Sequence, residues 1–403
     1  MFLRTRVLTT RLQKDFGITV DKELITVRGR ELPPPVVNYK AGSSVQSVTP
    51  QDGSWLMKGV RVWAPGRRIA NWTYLTIGNG PHEVIKTTVT GFAKFLDGDM
   101  GIQMNRQPSP ATGHRAQDKS EEALRNAFSK IASQKPRPEF VLVVLPDKDT
   151  TRYNVVKKLA DVEFGLTTVC VRQELLLKNQ GQLGYFANVG LKVNLKFGGA
   201  NHQVKDGTGL VATTMFAGYD VTHPTNLASG AGENAPSLVG LVASIDSNLA
   251  QWPAVAWENK SRGEEVENVD GQFVHHFKNR IKLWQNQNGG KLPENIVIFR
   301  DGVSEGQFKM VLDKELPHIR QACKEMYPVK SNGPLISLIV SVKRHQTRFY
   351  PTDPNHIHSR SKSPKEGTIV DRGVTNVRCW DFFLQAHASL QGKLSLSSVS
   401  VCS

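Results

Sequence analysis

Two aspartates close apolar stretches of the chain: Asp220 in FAGYDVTHP (216–224) and Asp301 in IVIFRDG (296–302). If these stretches are neighbouring strands, their carboxylates repel one another unless a cation sits between them. Carboxylate oxygens with few histidines nearby are the donor set of Mg2+ or Mn2+. Two such ions about 4 Å apart activate water and stabilise the leaving oxygen in phosphodiester cleavage. Taken singly, each aspartate is an ordinary strand end; polar turns around both, in a basic chain, favour the pair. Gly302-Val303-Ser304-Glu305-Gly306 offers a second chemistry, the G-x-S-x-G elbow of serine hydrolases. In that elbow the serine sits directly at the strand-to-helix turn, whereas Arg300, Asp301 and Gly302 intervene here. Ser304 and Gln307 instead fit a capping box, followed by a helical stripe of Phe308, Val311, Leu312, Leu316, Ile319 and Cys323. Such a cap contributes about 1 kcal/mol. Ser304 is read as a cap, and a serine hydrolase built on it is the remote alternative.

Those residues need elements to hold them. The chain has 403 residues, enough for two domains with connecting segments. Residues 1–80 read as a lead-in: Leu32-Pro33-Pro34-Pro35 breaks any helix, and WLMKGVRVW (55–63) alternates as a strand does. The start, MFLRTRVLTTRLQKDF, is Arg-rich, and its apolar residues recur at the spacing of a surface helix. From residue 122, helix-like and strand-like patterns alternate: EEALRNAFSKIAS, FVLVVLP (140–146), YNVVKKLADVEFG, LTTVCVRQ. That βαβ rhythm predicts a parallel sheet with helices on its faces. After Gly198-Gly199 a new series begins. Strands are expected over 209–221, 237–246, 296–299 and 334–342, with helices around 263–286 and through 305–326, so a boundary is placed near 200.

Charge narrows the partners. Lys plus Arg number 51 against 36 acids, a formal charge of +15, which favours polyanions, nucleic acid first and an anionic membrane surface second. No run of 18 apolar residues exists to span a bilayer. The four cysteines, Cys170, Cys323, Cys379 and Cys402, form no C-x-x-C pair, which argues against a zinc knuckle or a disulfide scaffold and fits a reducing compartment.

GYDVTHP (218–224), FRDGVSEGQF (299–308) and VKRHQTRFY (342–350) closely resemble the PIWI domain of eukaryotic Argonaute proteins, and TIVDRGVT (368–375) and DFFLQAHASLQG (381–392) continue the match in order. KDFGITVDKELITVRGRELPPPVVNY resembles the linker before the MID domain, and LPDK (145–148), YNVVK (153–157) and LKVNLKFGG (191–199) resemble MID. The resemblance implies an α/β chain: a linker over 1–80, a Rossmann-like MID domain over 81–200, and an RNase H-like PIWI domain over 201–392, incomplete, before a divergent tail at 393–403. It implies small-RNA-guided silencing. A guide RNA pairs with a target RNA, which is cut with Mg2+ or Mn2+ held by Asp220 and Asp301. The family's third catalytic acid, a loop glutamate, falls in SRGEEVENV, with Glu264 the better match and Glu265 the spare. A guide-binding Argonaute that recruits silencing effector proteins and does not cut is the alternative. The location expected is the cytoplasm, and also the nucleus.

The family also binds the guide's 5′-phosphate in MID. Asn188, Lys192 and Lys196 are spaced by four and share one helical face; Tyr153 and Lys157 form another such pair. A tyrosine ring can stack on the first base while ammonium groups surround the phosphate, and bonds to a charged group contribute roughly 1.5–3 kcal/mol each. Lys343, Arg344 and Arg348 match the family's contacts to the guide backbone, which position a strand without reading it.

Two departures stand out. Val169 occupies the place before Cys170 where the family has glutamine, with Thr168 and Arg172 as candidate substitutes. After Gly392 the family continues into a loop carrying a histidine, the fourth metal ligand, whereas this chain reads KLSLSSVSVCS. That make-up does not suggest a packed helix. His387 is a conceivable stand-in but lies upstream, within an apparent helix. The chain also begins after the place of the family's amino-terminal and PAZ domains. A partial Argonaute is therefore expected.

Overall fold

The computed structural model describes residues 15–17, 21, 23–116, 118–204, 209–222, 236–259, 265–268, 271–329, 332–343, 345, 347–359, 361–376, 380–387 and 397–402. The chain divides into two compact units, one of residues 1–32 with 343–400, the other of residues 33–342 with 401–403.

The larger unit begins with a βα series: β1 (Trp72–Ile77), α1 (His82–Gly98), β2 (His114–Ala116), α2 (Glu121–Ala132), β3 (Phe140–Leu145), α3 (Thr150–Lys157), β4 (Thr168–Arg172) and α4 (Gln182–Lys196). The strands are all parallel, in the order β2-β1-β3-β4. Parallel sheets covered on both faces demand unbroken apolar strands, and β1 and β3 are buried at every position. Alternate side chains feed separate cores. Trp72, Phe140, Leu142 and Val169 pack with α1 and α4, while Leu75, Val141 and Val143 pack with α2 and the end of α3. Ser120 caps α2 by accepting from Ala123 N–H, and Asp149 caps α3 through Thr151 and Arg152.

A second sheet follows: β5 (Thr214–Thr222), β6 (Ser237–Ala243), β7 (Ala254–Asn259), α5 (Gln272–Gln287), β8 (Asn295–Asp301), α6 (Leu316–Met326) and β9 (Leu335–Val342). Within this unit the order is β9-β8-β5-β6-β7, with β5, β6 and β7 antiparallel and β8 parallel to both β5 and β9. Its core lies on one face, where Met215, Ala217, Ile298 and Leu338 meet Phe273, Phe277, Trp284 and Ile319. The two sheets touch near residue 200, where Gln251 Nε2 donates to the carbonyls of Leu195 (3.1 Å) and Gly199 (2.8 Å).

The smaller unit joins distant parts of the chain. Arg30–Glu31 pairs antiparallel with Thr368–Val370, which pairs with Trp380–Leu384. Val370 and Phe383 are its buried centre, with Val27, Phe349 and Val374 around them.

Several expectations need correction. Trp72–Ile77, counted with the lead-in, is a buried inner strand of the first sheet. WLMKGVRVW is not a strand: Gly59 turns at φ +72°, and Gly59 O accepts from Ser44 and Val45 instead of a strand partner. The helix expected through 305–326 is interrupted by a π-turn at Val311–Glu315, next to Pro317, which has no N–H for the Asp313 carbonyl. His387 does not lie in a helix; it follows the strand Trp380–Leu384, whose aromatic residues suit a sheet. The tail holds a strand, Ser397–Cys402. The helix expected at the amino terminus lies, but for Asp15 and Phe16, outside the described residues.

Candidate functional site

Sheet register brings the two aspartates together. β8 runs parallel to β5 with Arg300 opposite Tyr219, so Asp301 and Asp220 are the next residues on adjacent strands. Alternation turns them to one face, away from the core that takes Met215, Ala217, Tyr219, Ile296 and Ile298. On the other side of β5, Gly240 pairs with Asp220 and presents no side chain, and a Cβ there would meet nothing within 4 Å. The Asp220 side chain is 49% exposed. Its Oδ1 accepts from Val221 N–H (2.9 Å), as Asp301 Oδ1 does from Gly302 N–H (2.9 Å). Two hard-oxygen donors at the ends of adjacent strands, beside open space, fit a divalent cation of the Mg2+ or Mn2+ kind.

Under them is a network that reading the sequence missed. Arg300 and Glu315 are both 0% exposed. Glu315 Oε2 accepts from Arg300 Nε (3.0 Å) and the Tyr219 hydroxyl (2.7 Å); Oε1 accepts from Arg300 Nη2 (3.0 Å) and Val266 N–H (2.8 Å). Burial, together with the Glu315 charge, raises the Tyr219 phenol well above its usual range. The available signal was Arg300 and Tyr219 at strand positions whose parity faces the core.

Glu264 and Arg344 lie outside the described residues. Glu265 is engaged by Lys314 Nζ (2.6 Å). The segment after Glu264 is fixed by the buried Asn259, whose Nδ2 donates to Glu265 O (2.8 Å) and whose Oδ1 accepts from Glu267 N–H (3.1 Å). Ser304 N–H and hydroxyl both donate to Gln307 Oε1 (2.8 and 2.9 Å), the capping role its spacing predicts.

The basic residues expected at the guide's 5′ end stand on α3 and α4, the helices on either side of β4 in sequence. Lys157 stands on α3, and Lys192 and Lys196 are exposed on α4. Burial pushes the Cys170 thiol up to about 11, against the smaller pull of the Lys157, Lys196 and Lys192 charges. Lys157 Nζ already donates to Thr168 Oγ1 (2.8 Å) and O (3.1 Å). Tyr153 is 41% exposed and Asn188 is exposed on the same helices. Val169 is buried in the core; Thr168 is fully buried and accepts from Lys157, and Arg172 keeps a half-buried side chain on β4. α4 is anchored from its opposite face by the buried Asn194, which accepts from Gly66 N–H (2.9 Å) and donates to Ala64 O (3.2 Å). In the smaller unit Lys343 and Arg348 are exposed, with Arg348 Nη1 bonded to the carbonyls of His345 (2.7 Å) and Thr347 (2.8 Å).

A Piwi-domain family model matches residues 140–403, more than half of the chain, and an Argonaute linker 2 model matches 7–39. The chain belongs to the Argonaute family. It is similar to the MID–PIWI domains of the N. crassa Argonaute QDE-2, at 48% identity and a TM-score of 0.61 over 70% of this chain and 76% of that one. An Argonaute of Kluyveromyces polysporus, solved with a guide RNA, is 25% identical with a TM-score of 0.76, covering 94% of this chain and 48% of that one. Argonaute 5 of Arabidopsis thaliana is 29% identical over 94% of this chain, which spans 38% of that relative's length. The fold is thus the α/β MID–PIWI arrangement of Argonautes. Among the described residues, no helix is long and apolar enough to cross a membrane.

Proposed function

We propose that this chain binds the 5′-phosphate of a small guide RNA and cleaves the RNA paired to it. The observation that supports the first half is the placement of Lys157 on α3, bonded to Thr168 of β4, and of the exposed Lys192 and Lys196 one turn apart on α4. Tyr153 and Asn188 stand on the same two helices, suited to the first base and the phosphate rim. Lys343, Arg344 and Arg348 are assigned to the guide backbone. For cleavage, Asp220 and Asp301 would hold Mg2+ or Mn2+, with Glu264 completing the set. Bound there, such a cation would polarise the scissile phosphate and lower the pKa of water. The chain's own part is to fix both carboxylates in register on β5 and β8 and to anchor the glutamate segment through Asn259 and Glu315. The partners in this reading are guide RNA, target RNA and silencing effector proteins. The free thiols of Cys170 and Cys323 suit a reducing compartment, the cytoplasm and the nucleus.

Fluorescence anisotropy with guides that differ only at the 5′ end tests the binding half. Lys192→Ala is expected to weaken a 5′-phosphorylated guide tenfold or more and a 5′-hydroxyl guide less than threefold; equal losses would remove the assignment. In single-turnover assays with Mn2+, Asp220→Asn is expected to abolish cutting. Guide binding by a wild-type chain that never cuts would leave guide capture and effector recruitment as the function.

A further inference from the structure

The buried guanidinium of Arg300 has two carboxylates within reach. Glu315 holds it at 3.0 Å through two nitrogens, while its third, Nη1, donates to the Asp301 carbonyl and lies 3.9 Å from Asp220 Oδ1. Glu315 also receives the Tyr219 hydroxyl from β5 and Val266 N–H from the segment after Glu264. One carboxylate thus ties together the strand of Asp220, the strand of Asp301 and the backbone of Val266. The π-turn Val311–Glu315 delivers it, a helix irregularity of the kind that recurs at functional sites.

Building on the metal-binding reading above, we propose that Glu315 is a positioning residue that keeps the Arg300 charge in the core and so leaves the Asp220 carboxylate free for a divalent cation. A buried charge that loses its partner is strongly unfavourable and seeks the nearest opposite charge. Here that charge is Asp220, where the guanidinium would compete with the cation for the same oxygens.

The test uses the full chain and Mn2+ alone, read from the paramagnetic resonance signal of the free ion. Glu315→Gln is expected to raise the Kd for Mn2+ tenfold or more. Arg300→Met combined with Glu315→Met removes both charges and is expected to return the Kd to the wild-type value or below. A merely structural role predicts the reverse, a double variant at least as weak as the single one. If Glu315→Gln does not fold, Glu315→Asp keeps the charge but shortens its reach, and a threefold rise is expected. Unchanged Mn2+ affinity in the single variant, or a double variant that stays weak, overturns the proposal while the metal site stands. A wild-type chain whose Mn2+ binding is absent or insensitive to Asp220→Asn overturns the metal site, and the proposal with it.

Discussion

The three lysines assigned to the guide's 5′-phosphate are not equivalent. Lys157 is drawn inward, donating to two oxygens of the fully buried Thr168, whereas Lys192 and Lys196 are exposed. Removing Lys157 strands buried acceptors, which costs about 1–3 kcal/mol; removing an exposed lysine stays within about 0.5 kcal/mol. Thermal unfolding should therefore separate Lys157→Ala from Lys192→Ala, although both weaken a phosphorylated guide. Cys170 reports on the same point. Burial holds its thiol protonated up to about pH 11, and the thiolate is the nucleophile. Alkylation of Cys170 should keep rising about tenfold per pH unit beyond the pH where an ordinary thiol levels off, and a 5′-phosphorylated oligonucleotide should slow it. Site-resolved mass spectrometry checks both; an RNA-independent rate would move the phosphate away from Cys170.

The elements explain why these residues meet. Strand alternation sends Asp220 and Asp301 to one face and Tyr219 and Arg300 to the other, so the acids stand over their own buried support. Asn259 at the end of β7 holds the segment that returns from Glu264. Asn259→Ala would leave the Glu265 carbonyl and the Glu267 N–H without that partner, costing about 1–3 kcal/mol. Cleavage in single turnover should fall well beyond any change in guide affinity; parallel losses would detach this segment from the cutting half. Much of this was legible in the sequence. Apolar runs marked β3 and β8, the S-x-x-Q spacing marked the cap at Ser304, and spacing by four put Lys192 and Lys196 on one face. What stayed hidden depended on tertiary neighbours. Val311, Glu315 and Ile319 all occupy one helical stripe, and only packing reveals that the charged member turns inward onto Arg300. WLMKGVRVW alternated like a strand, but Gly59 at φ +72° breaks the run.

At the scale of the molecule, residues far apart in sequence build one unit: Arg30–Glu31 pairs with Thr368–Val370. No local pattern announces a pairing across such a separation: Thr368–Val370 is β-branched throughout and suits a strand, but Arg30–Glu31 is a two-residue stretch with no strand pattern of its own. Net charge, by contrast, needs no fold to be read. A formal +15 favours any polyanion through counterion release, and for single strands log K falls with log salt at about −0.7 per phosphate contact. A short 5′-phosphorylated oligonucleotide whose 5′-phosphate alone meets Lys157, Lys192 and Lys196 should thus show a slope of roughly −0.7. A guide of about twenty nucleotides should be steeper, since its backbone meets further cations, Lys343 and Arg348 among those assigned to it. Titrations at four or five salt concentrations decide the matter. If the two slopes coincide, the backbone of a long guide adds no ionic contacts, and the surplus charge faces some other polyanion. If they diverge and Lys343→Ala with Arg348→Ala reduces the difference, Lys343 and Arg348 contact the backbone of the long guide.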